Sequence, residues 1–269
     1  MANPKIVFIT GANTGIGFEV VKALYSADKP YTVIVGSRSL SKAEDAISFL
    51  KTEFPASTNI LVPLTIDIES DESIQSAADE VESKFGRVDA LINNAGAQFD
   101  QEILTGTLTP RAAWLKSWNV NVAGTQVLTT TLIPLLLKSS DPRLLFVTSG
   151  TSSLSNHVTR TIPLDTPPPA GWPKPTTGVP PSMPSYRSTK TGLNMLVREW
   201  DRILKNDGVK VWAVSPGLLA TGLAGNPEAM KKMGAEDASV AGPFFRGILE
   251  GQRDGDAGLV INRGGVQPW

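Results

Sequence analysis

Short runs rich in Val and Ile alternate with stretches of helical period along the whole chain, and this alternation limits the fold more than any other feature. The runs are Lys5–Thr10, Thr32–Gly36, Ile60–Ile66, Ala90–Ile92, Leu144–Thr148, Lys210–Val214 and Leu259–Ile261. Helix-period segments fill the gaps at roughly 15–27, 40–53, 71–85, 110–138, 185–206 and 240–251. Strand and helix in strict succession predict a parallel sheet with helices packed on it. The runs are apolar at nearly every position, which fits strands buried on both faces. A chain of 269 residues could hold one large α/β unit or two small ones. No internal repeat and no shift in composition divides it. The expectation is a single α/β domain over 1–269, a doubly wound parallel sheet of about seven strands flanked by helices.

Composition removes several functions. Net charge is −1, with 41% apolar and 19% charged residues, which argues against a nucleic-acid binder needing a basic face. There is no Cys, so no disulfide, thiolate metal site or cysteine nucleophile. His157 is the only histidine, and no metal is expected. The N-terminus reads as a strand rather than a signal peptide. The longest apolar stretch, around Val127 to Leu137, is too short and too interrupted by Thr and Pro to span a bilayer. A soluble, cytoplasmic protein is expected, with no nucleic-acid or membrane partner.

One segment departs from the alternation. Nine of the twenty prolines lie between Pro163 and Pro184, among them Pro167-Pro168-Pro169 and Pro180-Pro181. Such a segment is neither helix nor central strand. Long loops in compact folds are lids, binding loops or linkers. Three readings stay open for the insertion at about 155–184: an exposed polyproline excursion, a lid, or a recognition segment for a partner.

The first strand runs into Thr10-Gly11-Ala12-Asn13-Thr14-Gly15-Ile16-Gly17, which opens the first helix. Glycines there allow a tight turn, close approach of a diphosphate to the backbone, and close helix–strand packing. The helix N-terminus adds free N–H groups and partial positive charge. The spacing Gly-x3-Gly-x-Gly is a relative of the dinucleotide-binding fingerprint. Asn93-Asn94-Ala95-Gly96 follows the fourth strand, and Asn121 sits in Asn119-Val120-Asn121-Val122-Ala123-Gly124. Ser149 ends the fifth strand, Ser185-Tyr186-Arg187-Ser188-Thr189-Lys190 comes next, and Pro216-Gly217 with Thr221 follows the sixth. In this order, across nearly the whole chain, these motifs resemble the short-chain dehydrogenase/reductase family.

The resemblance implies a Rossmann-type fold that binds a nicotinamide cofactor. By it, Gly11, Asn13, Thr14, Gly15, Ile16 and Gly17 hold the diphosphate, and Asn94, Ala95 and Gly96 shape the cleft. Asp67 resembles the residue that contacts adenine, though an exposed helix-capping Asp would look similar, and Pro216, Gly217 and Thr221, after the sixth strand, join the cofactor-binding set. Hydride passes to a substrate carbonyl carbon, Tyr186 protonates the oxygen, and Ser149 donates a hydrogen bond to it. Lys190 holds the nicotinamide ribose, and Asn121 holds a water that links Lys190 to solvent.

The residues of the Tyr-x-x-x-Lys motif carry a meaning of their own. On a helix this spacing puts phenol and ammonium on one face, and the nearby cation should lower the phenol pKa towards working pH. The spacing occurs twice, since Tyr25 and Lys29 match equally well. Tyr25 is about ten residues into the first helix, hence roughly 15 Å from its phosphate end. Ligands of open α/β sheets bind at the carboxyl ends of strands. Tyr25 and Lys29 are therefore read as structural, and Tyr186 and Lys190 as the working pair. Thr148, Thr151, Ser152 and Ser153 rival Ser149 by residue type, and His157 is an acid candidate or an ordinary polar loop residue.

The cofactor type is read at the end of the second strand. NAD-binding sheets tend to carry an acidic residue there, bonded to the ribose 2′-hydroxyl. Here the place holds Ser37 and Arg38, which can receive a 2′-phosphate, so NADP(H) is expected. Thr14 stands where many NADP-dependent relatives of the family carry a cation. In the loop 218–239, Leu218, Leu219, Leu223, Met230 and Met233 could wall a site for a ketone, aldehyde or quinone, or simply pack a short helix. Trp172 and Trp269 could line the cleft or an interface. Ser149 and Tyr186 lie 37 positions apart, further than in many compact members of the family. The insertion between them resembles that of carbonyl-reductase-like members, implying a monomer or non-standard oligomer. The second reading is an NADP-responsive binding protein on the same scaffold, docking a partner through the proline-rich segment.

Overall fold

In the computed structural model of the protein, which describes residues 3–175, 178 and 183–269, the apolar runs become strands that divide their side chains between two cores. In β1 (Lys5–Ile9), Ile6 and Phe8 enter one core while Val7 and Ile9 enter the other. The same two-sided burial explains why β2 (Tyr31–Ser37) is buried at every position. β3 (Ile60–Thr65), β4 (Ala90–Asn93), β5 (Arg143–Val147) and β6 (Lys210–Val214) complete a parallel sheet ordered β3-β2-β1-β4-β5-β6. The strand order reverses between β1 and β4, and that is where doubly wound sheets open a ligand crevice.

The connecting helices are α1 (Gly15–Tyr25), α2 (Leu40–Glu53), α3 (Asp71–Phe85), α4 (Asp100–Leu104), α5 (Pro110–Trp118), α6 (Thr125–Leu136), α7 (Leu154–Thr159), α8 (Pro184–Ile203), α9 (Pro227–Lys232) and α10 (Ala241–Leu249). α1, α2 and α10 cover one face and α3, α6 and α8 the other. Trp212 and Phe245 are fully buried in the first layer, and Phe146 and Leu128 in the second.

The structure departs from the sequence reading in several places. The expected helix over 110–138 is interrupted by a π-helical turn at Asn119–Gly124. A Cβ on Gly124 would overlap the Ile68 carbonyl, so glycine lets this turn press against the segment that follows β3. The sheet has eight strands, close to the expected seven: β9 (Val260–Asn262) matches the run at Leu259–Ile261 and adds to β6, and only β10 (Gly265–Gln267), returning antiparallel through Arg263-Gly264, was not expected. A separate pair, β7 (Leu219–Ala220) and β8 (Glu236–Asp237), ties the two ends of the 218–239 loop together. α7 ends before the proline-rich stretch begins at Pro163, where the described residues form only a short 3-10 turn, Pro163–Asp165. Of the prolines singled out there, Pro180 and Pro181 lie outside the described residues.

Candidate active site

The crevice is made by the loops after β1 and β4, stitched to each other. The Asn94 side-chain amide donates to the carbonyls of Thr10 (2.7 Å) and Gly11 (3.1 Å). In return, Thr10 Oγ1 accepts from the amides of Asn94 (3.1 Å) and Ala95 (2.9 Å). Gly11 and Gly15 have φ of 61° and 56°, the left-handed region that side chains disfavour. A Cβ on Gly17 would stand 2.5 Å from the Gly11 carbonyl oxygen. α2 and α3 begin with side-chain caps from Ser39 and Ser70, whereas α1 has neither a side-chain cap nor an acidic residue in its first turn. Its leading amides thus lack a side-chain acceptor, and they suit a phosphate. The cradle fits a dinucleotide diphosphate.

A cavity of about 720 Å³ runs from this cradle in two directions. Towards the edge of the sheet it reaches Ser37, Arg38, Lys42 and Asp67. The Arg38 side chain is 74% exposed, with its nearest acidic partner, Glu69, at 4.0 Å. Ser37 is buried and its hydroxyl accepts from the Ser39 amide at 3.3 Å. Lys42, in the first turn of α2, joins them without a sequence signal, since Arg38 lies before the helix and the spacing between the two carries no meaning. In the other direction the cavity reaches Ser149, Tyr186 and Lys190; Pro216, Gly217 and Thr221 line it too, with Thr221 beside Gly15. Asn13, Thr14, Ile16, Ala95 and Gly96 line the middle. Gly17 and Asn121 do not line the cavity.

The reacting end joins the tip of β5 to the first turns of α8. Ser149 shares a hydroxyl–hydroxyl bond of 2.9 Å with Thr151 and accepts from the Thr151 amide at 3.2 Å. Lys190 Nζ donates to the Val147 carbonyl at 2.9 Å and lies 5.8 Å from the centre of the Tyr186 ring. Asn121, in the π turn, is bonded to both the amide (2.9 Å) and the carbonyl (2.8 Å) of Ala97 and to the Thr189 hydroxyl (3.0 Å). A Cβ on Gly96 would sit 3.1 Å from Asn121 Oδ1 and 3.4 Å from Lys190 Nζ, so glycine leaves room where these two approach the cleft.

One expectation about this pair is overturned. Burial pushes the Tyr186 phenol up to about 12, and the Ser149 hydroxyl pulls only partly the other way. Burial also lowers the Lys190 ammonium to about 8. The i, i+4 spacing does bring cation and ring together, but the ammonium is turned to the Val147 carbonyl and desolvation outweighs its field. Burial thus favours the protonated phenol at Tyr186.

A family model described as short chain dehydrogenase matches residues 5–160, more than half of the chain. The chain belongs to the short-chain dehydrogenase/reductase family. It is 47% identical to the short-chain dehydrogenase/reductase eupG of a Phoma species, over 100% of this chain and 99% of that one. Among solved structures, NADPH-bound carbonyl reductase from chicken fatty liver superposes with a TM-score of 0.75 at 23% identity, over 100% of both chains. A 3-ketoacyl-(acyl-carrier-protein) reductase from Brucella melitensis, complexed with NADH, gives 0.72 at 20% identity and 96% of each chain. These two likenesses speak for the fold. All three are reductases or dehydrogenases, so the reading as a binding protein without catalysis gains no support from them.

Within this short-chain dehydrogenase/reductase fold the other candidates sort by position. Tyr25 is buried in the core, edge-on to Phe54, and the Lys29 ammonium faces Glu250 at 3.3 Å; neither lines the cavity. Thr148 is buried and donates to Asn194 at 2.6 Å, while Ser153 caps α7. Leu218, Leu219, Leu223 and Met230 line the cavity, but Met233 does not. Trp172 is exposed away from it, and Trp269 packs beside Arg198 with its carbonyl held by Ser153 and Ser155. His157 faces a second cavity between the insertion and α8, 4.0 Å from Asp165. Asp100, buried near Tyr186, belongs to no motif and carries no signal in sequence.

Proposed function

We propose that this chain reduces a ketone, aldehyde or quinone to an alcohol with NADPH, reversibly, and that Tyr186 is the proton donor. The reading is carried by one arrangement: Ser149, Tyr186 and Lys190 line the same cavity as the glycine cradle and Arg38. When bound, the nicotinamide cofactor supplies hydride to the carbonyl carbon. Gly11, Asn13, Gly15 and Ile16 would hold its diphosphate, with Gly17 packed close behind them. Asp67 would face adenine, and Ser37, Arg38 and Lys42 a 2′-phosphate, the feature that favours NADP(H) over NAD(H). Asn94, Ala95 and Gly96 would border the ribose next to the nicotinamide, with Thr14, Pro216, Gly217 and Thr221 opposite.

The chain's own residues do the rest. The Ser149 hydroxyl donates to the carbonyl oxygen, strengthening as negative charge grows there. The Tyr186 phenol, kept protonated by burial, gives that oxygen its proton. Lys190 orients the ribose and stabilises the phenolate left behind. Asn121, bonded to Ala97 and Thr189, supports the water route by which that proton is restored. The apolar wall of Leu218, Leu223 and Met230 favours an uncharged, bulky carbonyl, and the 218–239 loop acts as its cover.

The insertion at 155–184 distinguishes a carbonyl-reductase-like subtype. Its described residues His157, Leu164, Asp165 and Pro167 line a second cavity with Ser188, Thr191 and Gly192 of α8 and Trp118 of α5, which favours a monomer or dimer over a tetramer packed through those helices. No helix among the described residues is long and apolar enough to cross a membrane. A screen of NADPH and NADH oxidation against acetophenone, benzaldehyde and menadione tests the reading. Turnover with NADPH that Arg38→Asp transfers towards NADH supports it. Cofactor binding without turnover on any carbonyl contradicts it.

A further inference from the structure

We infer that Asp100 is a positioning residue for Tyr186: its buried carboxylate caps the helix that carries the phenol and thereby fixes where the proton donor stands. The inference rests on the carbonyl-reduction reading and adds to it a residue outside the reacting group itself.

α8 opens on Pro184, whose ring suits a first helical position but brings no N–H. Met183, before it, makes no side-chain capping bond. The next two amides, Ser185 and Tyr186, belong to buried residues, where water cannot satisfy them. Asp100 meets both. Its Oδ1 accepts from the Ser185 amide at 2.9 Å and its Oδ2 from the Tyr186 amide at 3.0 Å. The side chain belongs to a residue only 3% exposed, and both of its oxygens face the positive end of the α8 dipole. Bonds from amides to a carboxylate are among the stronger hydrogen bonds a protein makes.

A helix cap is usually a neighbour in sequence, but this one lies 85 residues upstream of Ser185. Asp100 begins α4, at the end of the segment that starts with Asn94. The same short segment therefore stitches the glycine loop at one end, lines the cleft with Gln98 and Phe99, and grips the start of α8 at the other. A second tie, from the Ser185 hydroxyl to Ser117 at 2.7 Å, anchors that turn to α5. Tyr186 is thus held through its own backbone by the segment that follows β4 and borders the glycine cradle. A proton donor displaced by about 1 Å can lose about 100-fold in rate, so a cap at this amide acts on chemistry as well as on stability.

The test compares Asp100→Ala and Asp100→Asn with Ser70→Ala, which removes an ordinary cap where the Ser70 hydroxyl accepts from Ser73 at the start of α3. Rates are read as NADPH oxidation with whichever of acetophenone, benzaldehyde or menadione the wild type reduces. Asp100→Ala is expected to lower kcat at least ~30-fold with KM for NADPH within ~3-fold, and Asp100→Asn, keeping one acceptor, to fall between. Ser70→Ala is expected to lower Tm and keep its kcat. A kcat for Asp100→Ala within ~3-fold of wild type, or an equal loss in Ser70→Ala, overturns the inference. If Asp100→Ala does not fold, Asp100→Asn decides, and full kcat there overturns it.

A second readout needs no substrate. The Tyr186 phenol is titrated by absorbance, as the difference from Tyr186→Phe. In the Asp100 variants its midpoint should move down towards the ordinary value of about 10, as the first turn of α8 loosens and water reaches the ring. An unchanged midpoint overturns the inference even if the chain reduces none of these carbonyls, so its failure is distinguishable from failure of the reduction reading.

Discussion

The chain carries two Tyr-x-x-x-Lys spacings, and their fates differ completely. At the first, α1 ends on Tyr25, so the helical stacking that the spacing promises never reaches Lys29. The phenol turns into the core against Phe54, and the ammonium, on a side chain 62% exposed, turns to Glu250. At the second, α8 continues well past Lys190, and both side chains are buried at the edge of the cleft. Spacing alone therefore says nothing about chemistry. What counts is whether the helix persists across the interval and which end of the sheet it faces.

Four changes test how deep that difference goes. Tyr25→Ala removes a buried ring and is expected to cost about 3–5 kcal/mol of stability, read by denaturant unfolding, while kcat of the folded enzyme stays unchanged. A fall in kcat would bring the first pair into the site. Lys190→Met should act in the opposite sense on the two properties. Its folded pKa, about 8, lies below the ordinary 10.5, so the unfolded chain holds this proton more tightly between those values. The charged form thus lowers stability below pH 8, and that cost fades as pH rises from 8 to 10.5. The variant should lose more than ~100-fold in rate yet unfold at a higher temperature than wild type at pH 7, with the gap narrowing towards pH 10.5.

The third change is one of pH. Because burial raises Tyr186, its phenolate should be absent from the wild-type minus Tyr186→Phe difference spectrum up to pH 10.5. A transition below 10 would restore the cation-lowered phenol that the spacing suggested. The smallest effect belongs to Lys29→Met. Its pair with Glu250 is largely exposed on the lysine side, and the loss should stay under about 0.5 kcal/mol with no change in rate.

The central strands could be read from sequence because they feed two cores and so are largely apolar, as β1 and β2 are, with every position of β2 buried. The cofactor loop was equally legible, since Gly11 and Gly15 occupy backbone conformations that only glycine adopts freely. The π turn at Asn119–Gly124 was not, because its residues carry a helical period and the extra residue is accommodated by packing against Ile68. β9 is legible as the run at Leu259–Ile261, whereas β10, three residues opening on Gly265, carries too little pattern to read. β7 and β8, two residues each, carry no pattern at all. Within the site, the identity of Tyr186 and Lys190 was readable, but the protonation of Tyr186 was not. It depends on desolvation, which only the packed structure reveals. Asp100 was invisible for a related reason: its partners are 85 and 86 residues away.

The central claim is that Tyr186, and not merely the cleft around it, supplies the proton. The most direct measurement pairs NADPH binding with turnover in Tyr186→Phe, which removes one hydroxyl and leaves the ring in place. The account predicts NADPH binding within ~3-fold of wild type and a kcat reduced more than ~100-fold. Turnover that survives in Tyr186→Phe at near wild-type rate would contradict it.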